Sequence, residues 1–246
     1  MAVRITARHA SREPTLLSES LKRVLVLSPH ADDEVLGCAG LMAKLAERGC
    51  EVHVVYLAVD GFHHYGLDRE TTYEERVKEI DAVTGLLGCS YEIAYGDRDL
   101  IEKLDTLPKR DLVDLFETKI NEHRPDLLLL PYGTDYDQDH VAVFQTAFAA
   151  ARPIAEVFGK HLVPHVFTYE MTKINWASEP LPRPVAYCDI SAYLSTKLEA
   201  VKRYETQFRP SPHIRSLESV SALASIRGKE IGIESAEAFG VLRTVI

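Results

Sequence analysis

The stretch from Val24 to Glu34 constrains the fold of this chain more than any other. It begins with an apolar run, Val24 to Leu27, which is typical of a strand buried on both faces of a parallel sheet. The run is predicted to break at Pro29 into a tight turn, and an amphipathic helix that ends near Gly49 follows. A buried strand therefore brings the polar residues of the turn to the end of the sheet where open α/β proteins place their chemistry.

The rest of the chain continues the alternation of strands and helices. Further strands are predicted at 51–59, 91–95, 127–130, 165–171, 185–190 and 237–246, and further helices at 73–87, 111–123, 141–151, 191–208 and 217–231. This order predicts a Rossmann-like, doubly wound α/β fold, whose mostly parallel sheet is flanked by helices. Residues 1–22 are interpreted as an N-terminal extension, and residues 23–246 as a single domain.

Acidic residues and histidines follow two of the predicted strands. In the common doubly wound order the first and fourth strands are neighbours, with a crevice beyond their carboxyl ends. The polar side chains after these two strands are His30, Asp32, Asp33, Glu34, Asp135, Asp137, Asp139 and His140. Helix capping explains one or two of the aspartates, but it does not explain a histidine beside each group. We therefore expect the two groups to meet at one site.

The chemistry of these side chains indicates a metal centre. Two imidazoles and one carboxylate, from His30, Asp33 and His140, form a recurrent catalytic zinc set that leaves a position for water. Asp32 remains to take a proton from that water, and Asp139 is interpreted as the partner that orients His140. Zinc suits mixed nitrogen and oxygen ligands best, with iron, cobalt and manganese as alternatives.

Composition narrows the class of protein. The formal net charge is -9 and no block of lysine or arginine occurs, which argues against a nucleic-acid partner. No apolar run is long enough to cross a bilayer, so no membrane partner is predicted. The four cysteines are scattered without a paired spacing, and no signal-peptide pattern opens the chain. These features predict a cytoplasmic protein.

The paired motifs resemble those of the LmbE-like or PIG-L zinc-dependent N-deacetylases. The first family motif, (A/P)-H-P-D-D-E, corresponds to residues 29–34, and the second, H-x-D-H, to residues 137–140. The likeness extends to Asp60 with Gly61, to Arg76 with Glu79, and to residues 236–239. It implies one zinc per chain and a small-molecule substrate, an N-acetylglucosamine-type sugar that is free or part of a glycoconjugate.

The resemblance also implies residue roles. The zinc ligands would be His30, Asp33 and His140, and Asp32 would be the general base. The predicted substrate-binding residues are Arg76, Asp60 and His213. For Arg76 an ordinary surface pair with Glu79 is an equal alternative. For His213, in the stiff loop of residues 209–213, the alternative is a position outside the cleft.

Asp137 is the main departure from the family pattern. It stands where family members have the first histidine of the second motif, and an ionised carboxylate there would repel an oxyanion. Asp137 is therefore assigned to the catalytic group in one of two roles. It either accepts a hydrogen bond from a substrate hydroxyl, or it holds a proton and acts as an acid. His213 is the candidate for the missing donor. A second departure, Ala31 in place of proline, removes no functional group.

Two other functions remain open on the sequence. One is a metal-dependent hydratase or lyase that acts on an unsaturated dicarboxylate, because a changed second motif is where such divergence would show. The other is a metal-binding homologue without turnover, against which the intact Asp32 argues. A homo-oligomer is compatible with all three functions.

Overall fold

The computed structural model describes residues 21–59, 67–96, 98–154, 156–172, 176 and 184–246. The strands of the described chain are β1 Arg23–His30, β2 Glu51–Ala58, β3 Ser90–Ile93, β4 Leu127–Pro131, β5 His165–Tyr169, β6 Ala186–Asp189 and β7 Ala236–Arg243. Its α-helices are α1 Asp33–Glu47, α2 Tyr73–Leu87, α3 Lys109–His123, α4 Gln138–Ala150, α5 Leu194–Arg203 and α6 Leu217–Glu230.

The seven strands form one mixed sheet in the order β3-β2-β1-β4-β5-β7-β6. Strands β1 to β5 pair with one another in parallel, and β7 is antiparallel to both β5 and β6. Val24 pairs with Leu127 and Val26 with Leu129, so β1 and β4 end at the same edge. The predicted mostly parallel, doubly wound sheet is confirmed, and with it the predicted adjacency of the first and fourth strands.

Burial on both faces explains why β1 is a continuous apolar run. Val24 and Val26 belong to the apolar cluster on one face of the sheet, and Leu25 and Leu27 belong to the cluster on the other. Successive strand residues point to opposite faces, so a strand covered on both sides needs apolar residues throughout. Burying each such side chain contributes about 1.5–3 kcal/mol. This packing fixes the position at which β1 ends.

Several predicted element boundaries are wrong. Strand β1 continues past Pro29, because Ser28 and His30 on either side of it both pair with β2. Helix α5 is shorter than predicted at both ends, and Ser191 is not its cap, since the Ser191 hydroxyl donates to Asp189 at 2.7 Å. Tyr204 lies just after α5 and turns inward.

The predicted N-terminal extension lies almost entirely outside the described residues. Leu21 is an exception, since it is buried against the core although the predicted domain begins at residue 23. No helix of the described ranges is both long and apolar enough to cross a membrane. All four cysteines are free thiols.

Helix α1 carries the first polar group and is interrupted at Cys38, where the backbone leaves helical geometry (φ -144°, ψ 19°). Close packing explains the glycine just before the interruption. A Cβ on Gly37 would lie 2.3 Å from the Tyr169 ring of β5, so only glycine lets the helix approach the sheet this closely. Glu237 of β7 reaches the interruption and accepts hydrogen bonds from the N–H groups of Gly40 and Leu41, at 2.9 and 2.7 Å.

Candidate active site

The ends of β1 and β4 bring the predicted metal ligands together. His30 is the last residue of β1, Asp33 opens α1, and His140 lies in the first turn of α4. Asp33 Oδ2 is 3.1 Å from His140 Nε2 and 3.4 Å from His30 Nδ1. Asp33 and His140 are fully buried, and His30 is partly exposed. The three side chains therefore form one compact group at the predicted crevice.

Each imidazole is oriented by a carboxylate through its other nitrogen. His30 Nε2 is 2.9 Å from Asp139 Oδ2, and His140 Nδ1 is 2.8 Å from Asp135 Oδ2. The predicted pairing of Asp139 with His140 is wrong, because α4 begins at Gln138 and not at 141. Neighbouring residues of a helix point in different directions and cannot face each other. Each ring thus has one nitrogen held by a carboxylate and directs the other nitrogen toward Asp33. Metal-bound histidines are commonly held by an outer partner in the same way.

Asp137 has a structural role and also lies at the same centre. It is the N-cap residue of α4, where its Oδ1 accepts a hydrogen bond from the Asp139 N–H at 3.0 Å. Its other oxygen, Oδ2, is 3.7 Å from His140 Nε2. His30, His140 and Asp137 each offer one ligand atom, and these atoms lie within 4.8 Å of one another. The sequence interpretation did not include Asp137 among the metal ligands.

The donor atoms fit a zinc ion. Tetrahedral bonds of about 2.0–2.2 Å place ligand atoms about 3.3–3.5 Å apart. The separations of Asp33 Oδ2 from the two imidazole nitrogens, 3.1 and 3.4 Å, are close to that spacing. Burial opposes a charge on His30, but hydrogen bonds to Asp139 and Asp33 raise its pKa to about 10. Because carboxylates outnumber imidazoles here, the group favours a bound cation.

Asp32 has a strained backbone at the turn between β1 and α1. Its φ of 145° is unusual for any residue except glycine, and such strain concentrates at functional sites. Hydrogen bonds hold the turn, since the Asp32 N–H donates to Glu34 Oε2 and Leu36 N–H donates to the Asp32 carbonyl. Asp32 Oδ2 is buried and accepts no hydrogen bond from the described residues. Arg215 is a cation close to that oxygen, with its Nε 3.4 Å away.

Glu34 is a buried support for this turn. Its Oε1 accepts hydrogen bonds from the hydroxyls of Tyr56 and Tyr204, at 2.9 and 2.6 Å. Burial raises the pKa of Glu34 to about 7, although these two hydrogen bonds act in the opposite direction. Tyr204 is also the residue at which α5 ends and the backbone leaves helical geometry.

Arg76 is buried and not part of a surface pair with Glu79. Its guanidinium bonds to Glu79, to the Ala31 carbonyl, and to Thr206 Oγ1 at 2.6 Å. It therefore holds Ala31, which precedes Asp32. Arg76 also lines the cleft, and its substrate-binding role stays a prediction. Asp60 lies outside the described residues.

A cleft of about 410 Å³ opens over the candidate centre. His30, Asp32 and Asp137 form its floor, and the predicted His213 lines it together with two residues that sequence reasoning missed, Arg209 and Arg215. The two arginines flank a proline-rich loop and match no sequence motif. The only feature of the sequence that could have indicated them is a pair of cations close to the predicted His213.

The electrostatics of the cleft loop favour a neutral His213. Burial lowers the pKa of His213, and the charges of Arg215 and Arg209 lower it further. Its Nδ1 accepts a hydrogen bond from the Arg215 backbone N–H at 3.0 Å. A neutral ring that accepts at Nδ1 carries its proton on Nε2, so His213 is a hydrogen-bond donor through that atom.

Solved structures share this fold. The 4-carboxy-2-hydroxymuconate hydratase of Pseudomonas putida has a TM-score of 0.71 at 24% identity, over 92% of this chain and 98% of that one. The N,N'-diacetylchitobiose deacetylase of Pyrococcus horikoshii has a TM-score of 0.66 at 22% identity, over 91% of this chain and 85% of that one.

Sequence comparisons indicate the family. An uncharacterized deacetylase of Escherichia coli is 27% identical over 79% of this chain and 97% of its own length. The diacetylchitobiose deacetylase of Thermococcus kodakarensis is 25% identical over 76% of this chain and 71% of its own. The family profile described as PIG-L, GlcNAc-PI de-N-acetylase, matches residues 25–151, a span that includes every predicted metal ligand. This protein therefore belongs to the PIG-L (LmbE-like) family of deacetylases.

Proposed function

We propose that this protein is a zinc-dependent N-deacetylase that acts on an N-acetylglucosamine-type sugar or sugar conjugate. The observation that carries the proposal is the position of Asp32 beside the group formed by His30, Asp33 and His140, under an open cleft. The name of the Thermococcus relative, a diacetylchitobiose deacetylase, supports an acetylated sugar as the substrate class.

His30, Asp33 and His140 would hold the metal. A zinc ion bound there supplies Lewis acidity and lowers the pKa of a water molecule. Asp139 and Asp135 keep the two imidazoles in the required orientation, because each accepts a hydrogen bond from the ring nitrogen that faces away from Asp33.

Asp32 would act as the general base. Asp32 lines the cleft, and it would take a proton from the water whose oxygen bonds to the acetyl carbon. The C–N bond then breaks, and the proton passes to the leaving amine. The products are acetate and the free amino sugar.

The loop of Arg209 to Arg215 would supply the donors that Asp137 cannot provide. His213 Nε2–H can donate to the oxygen on which charge develops, in place of the motif histidine. Asp137 Oδ2 remains an acceptor, which suits a sugar hydroxyl. The roles of Arg76 and Asp60 in holding the sugar stay predictions.

A hydratase is the second candidate function, and the two arginines of the cleft favour it. Arg209 and Arg215 line the same cavity as Asp32, and paired guanidinium groups suit a dicarboxylate substrate. The Pseudomonas structure with the same fold is named as a 4-carboxy-2-hydroxymuconate hydratase, and that compound is an unsaturated polycarboxylate. For a deacetylase, the same arginines would contact sugar hydroxyls or an acidic group of a conjugate.

The deciding experiment is a substrate screen with added zinc. N-acetylglucosamine, diacetylchitobiose, N-acetylated sugar conjugates and, in a parallel reaction, an unsaturated dicarboxylate are incubated with the protein, and free amine, acetate and the enoic absorbance are measured. We expect equal amounts of the two products, and we expect both to disappear in Asp32→Asn and His140→Ala. Loss of an enoic absorbance without acetate would instead identify a hydratase. Binding of zinc without either reaction would indicate a homologue without turnover.

A further inference from the structure

A second group of metal-ligand side chains lies away from the crevice. His53 is near the start of β2, Glu92 is in β3, and His123 is the last residue of α3. His53 precedes Ala58, which borders the cleft, by five residues of β2, or about 16 Å of extended chain. The group therefore lies toward the amino end of the sheet and shares no residue with the candidate active site.

Three ligand atoms of this group lie close together. His53 Nε2 and His123 Nε2 are each 3.7 Å from Glu92 Oε1, and the three atoms lie within 4.8 Å of one another. These separations are too long for hydrogen bonds. His53 Nε2 and Glu92 Oε1 are buried, and neither has a hydrogen-bond partner in the described part of the chain.

The hydrogen bonds around His53 are compatible with a lone pair on its Nε2. His53 Nδ1 is 2.8 Å from Ser90 Oγ, and that hydroxyl donates to the Val52 carbonyl at 3.4 Å. The tautomer in which His53 Nδ1–H donates to Ser90 Oγ is compatible with these contacts and leaves the Nε2 lone pair for a cation.

In that tautomer two acceptors face each other across the group. The Nε2 lone pair of His53 and the carboxylate oxygen of Glu92 would repel unless a cation or a donor lay between them. The other oxygen of Glu92 accepts a hydrogen bond from Lys119 at 2.8 Å, which fixes the direction of the carboxylate. Ligating carboxylates are commonly held in this way.

We propose that His53, Glu92 and His123 bind a second transition-metal ion, of the zinc type, that ties the edge strand β3 and the end of α3 to β2. Two imidazoles and a carboxylate suit zinc, and also copper or nickel. The two imidazole nitrogens need to approach Glu92 Oε1 by a few tenths of an ångström to reach the tetrahedral spacing of about 3.3–3.5 Å.

Coordination also requires one ring to turn. The rings of His53 and His123 are stacked, with centroids 4.0 Å apart and planes 23° apart, whereas a metal lies in the plane of each imidazole that it binds. His123 can make this movement because it ends α3 and its side chain is 30% exposed. The partial exposure of Glu92 and His123 also gives an ion a path from solvent.

Metal analysis of the full chain tests the site. Protein stripped with a chelator is dialysed against zinc, and bound zinc is measured for the native chain and for His123→Ala. We expect His123→Ala to hold one equivalent less, because it loses one of three ligands. This difference does not depend on the crevice metal, so it is separable from failure of the proposed function. The matched control is His161→Ala, whose ring bonds to the Pro125 carbonyl, and it should bind as much zinc as the native chain.

Thermal unfolding gives the second readout. Zinc should raise the Tm of His140→Ala, which retains only the second site, and should not raise that of the double variant His123→Ala/His140→Ala. The proposal is overturned if His123→Ala binds as much zinc as the native chain while its circular dichroism is native-like. It is equally overturned if the double variant keeps the zinc-dependent rise in Tm.

Discussion

Replacing Glu237 with alanine tests how the helix that carries Asp33 is held. The Glu237 carboxylate accepts hydrogen bonds from two backbone N–H groups beside the interruption in α1. It also accepts from Lys197 Nζ at 2.6 Å, and Lys197 donates to the Leu36 carbonyl at 2.9 Å. Glu237 and Lys197 are both buried. One ion pair therefore satisfies three backbone groups of an irregular helix that would otherwise lack partners.

The size of the effect follows from what the alanine leaves behind. Removing one partner of a buried ion pair typically costs about 3–5 kcal/mol, because the other charge stays buried without compensation. Each backbone N–H left unpaired costs about 1–3 kcal/mol, and this cost is largely contained in the first figure. For a chain of this size, a loss of about 3–5 kcal/mol lowers the Tm by about 6–20 °C.

Urea unfolding followed by circular dichroism measures this loss. We expect the midpoint to fall at an unchanged slope, since the folded structure keeps its compactness. The matched control is Asp114→Ala, which breaks an exposed pair with Arg110 and should change the free energy of unfolding by less than about 0.5 kcal/mol. The double variant Lys197→Met/Glu237→Met should lose less than the sum of the single changes. A loss below about 1 kcal/mol for Glu237→Ala would refute the reasoning.

The candidate active site predicts three separable changes in kinetics and metal content. Asp32→Asn should keep zinc and lower kcat by about 100- to 10,000-fold, whereas Asp33→Asn should lose zinc. Zinc content and kcat are measured for both variants. Loss of zinc in Asp32→Asn together with its retention in Asp33→Asn would contradict the assignment. Asp137→Asn should change KM more than kcat, because an amide still meets a substrate hydroxyl; initial-rate kinetics would contradict this if only kcat fell. His213→Ala should lower kcat by about 100- to 1,000-fold if His213 is the oxyanion donor, and an unchanged kcat excludes that role.

The adjacency of β1 and β4 was predictable because it rests on local patterns. Apolar runs such as Val24–Leu27 occur where both faces of a strand are covered, and the order of strands and helices then leaves few topologies. The convergence of His30, Asp33 and His140 follows from that topology. Helix starts were less predictable, since the register of α4 decides whether Asp139 faces His30 or His140.

Contacts between distant segments were not predictable from local patterns. Arg76 forms the predicted pair with Glu79, but whether such a pair is exposed depends on Thr206, which lies far along the chain. Arg215 reaches Asp32 only because a loop after α5 folds over the crevice. No spacing in a single sequence encodes such contacts, because they depend on how separate elements pack.

The departure of Asp137 from the family motif becomes understandable in this geometry. Its Oδ1 caps α4, and its Oδ2 lies beside the imidazole nitrogen of His140 that faces the centre. A carboxylate is well suited to both positions, since one is the amino end of a helix and the other adjoins a predicted cation. His213, whose neutral ring carries its proton on Nε2, is the proposed replacement for the donor that a motif histidine would supply. We infer that two residues share the role of the motif histidine in this protein. Asp137 occupies its position, and His213 of another loop supplies its proton.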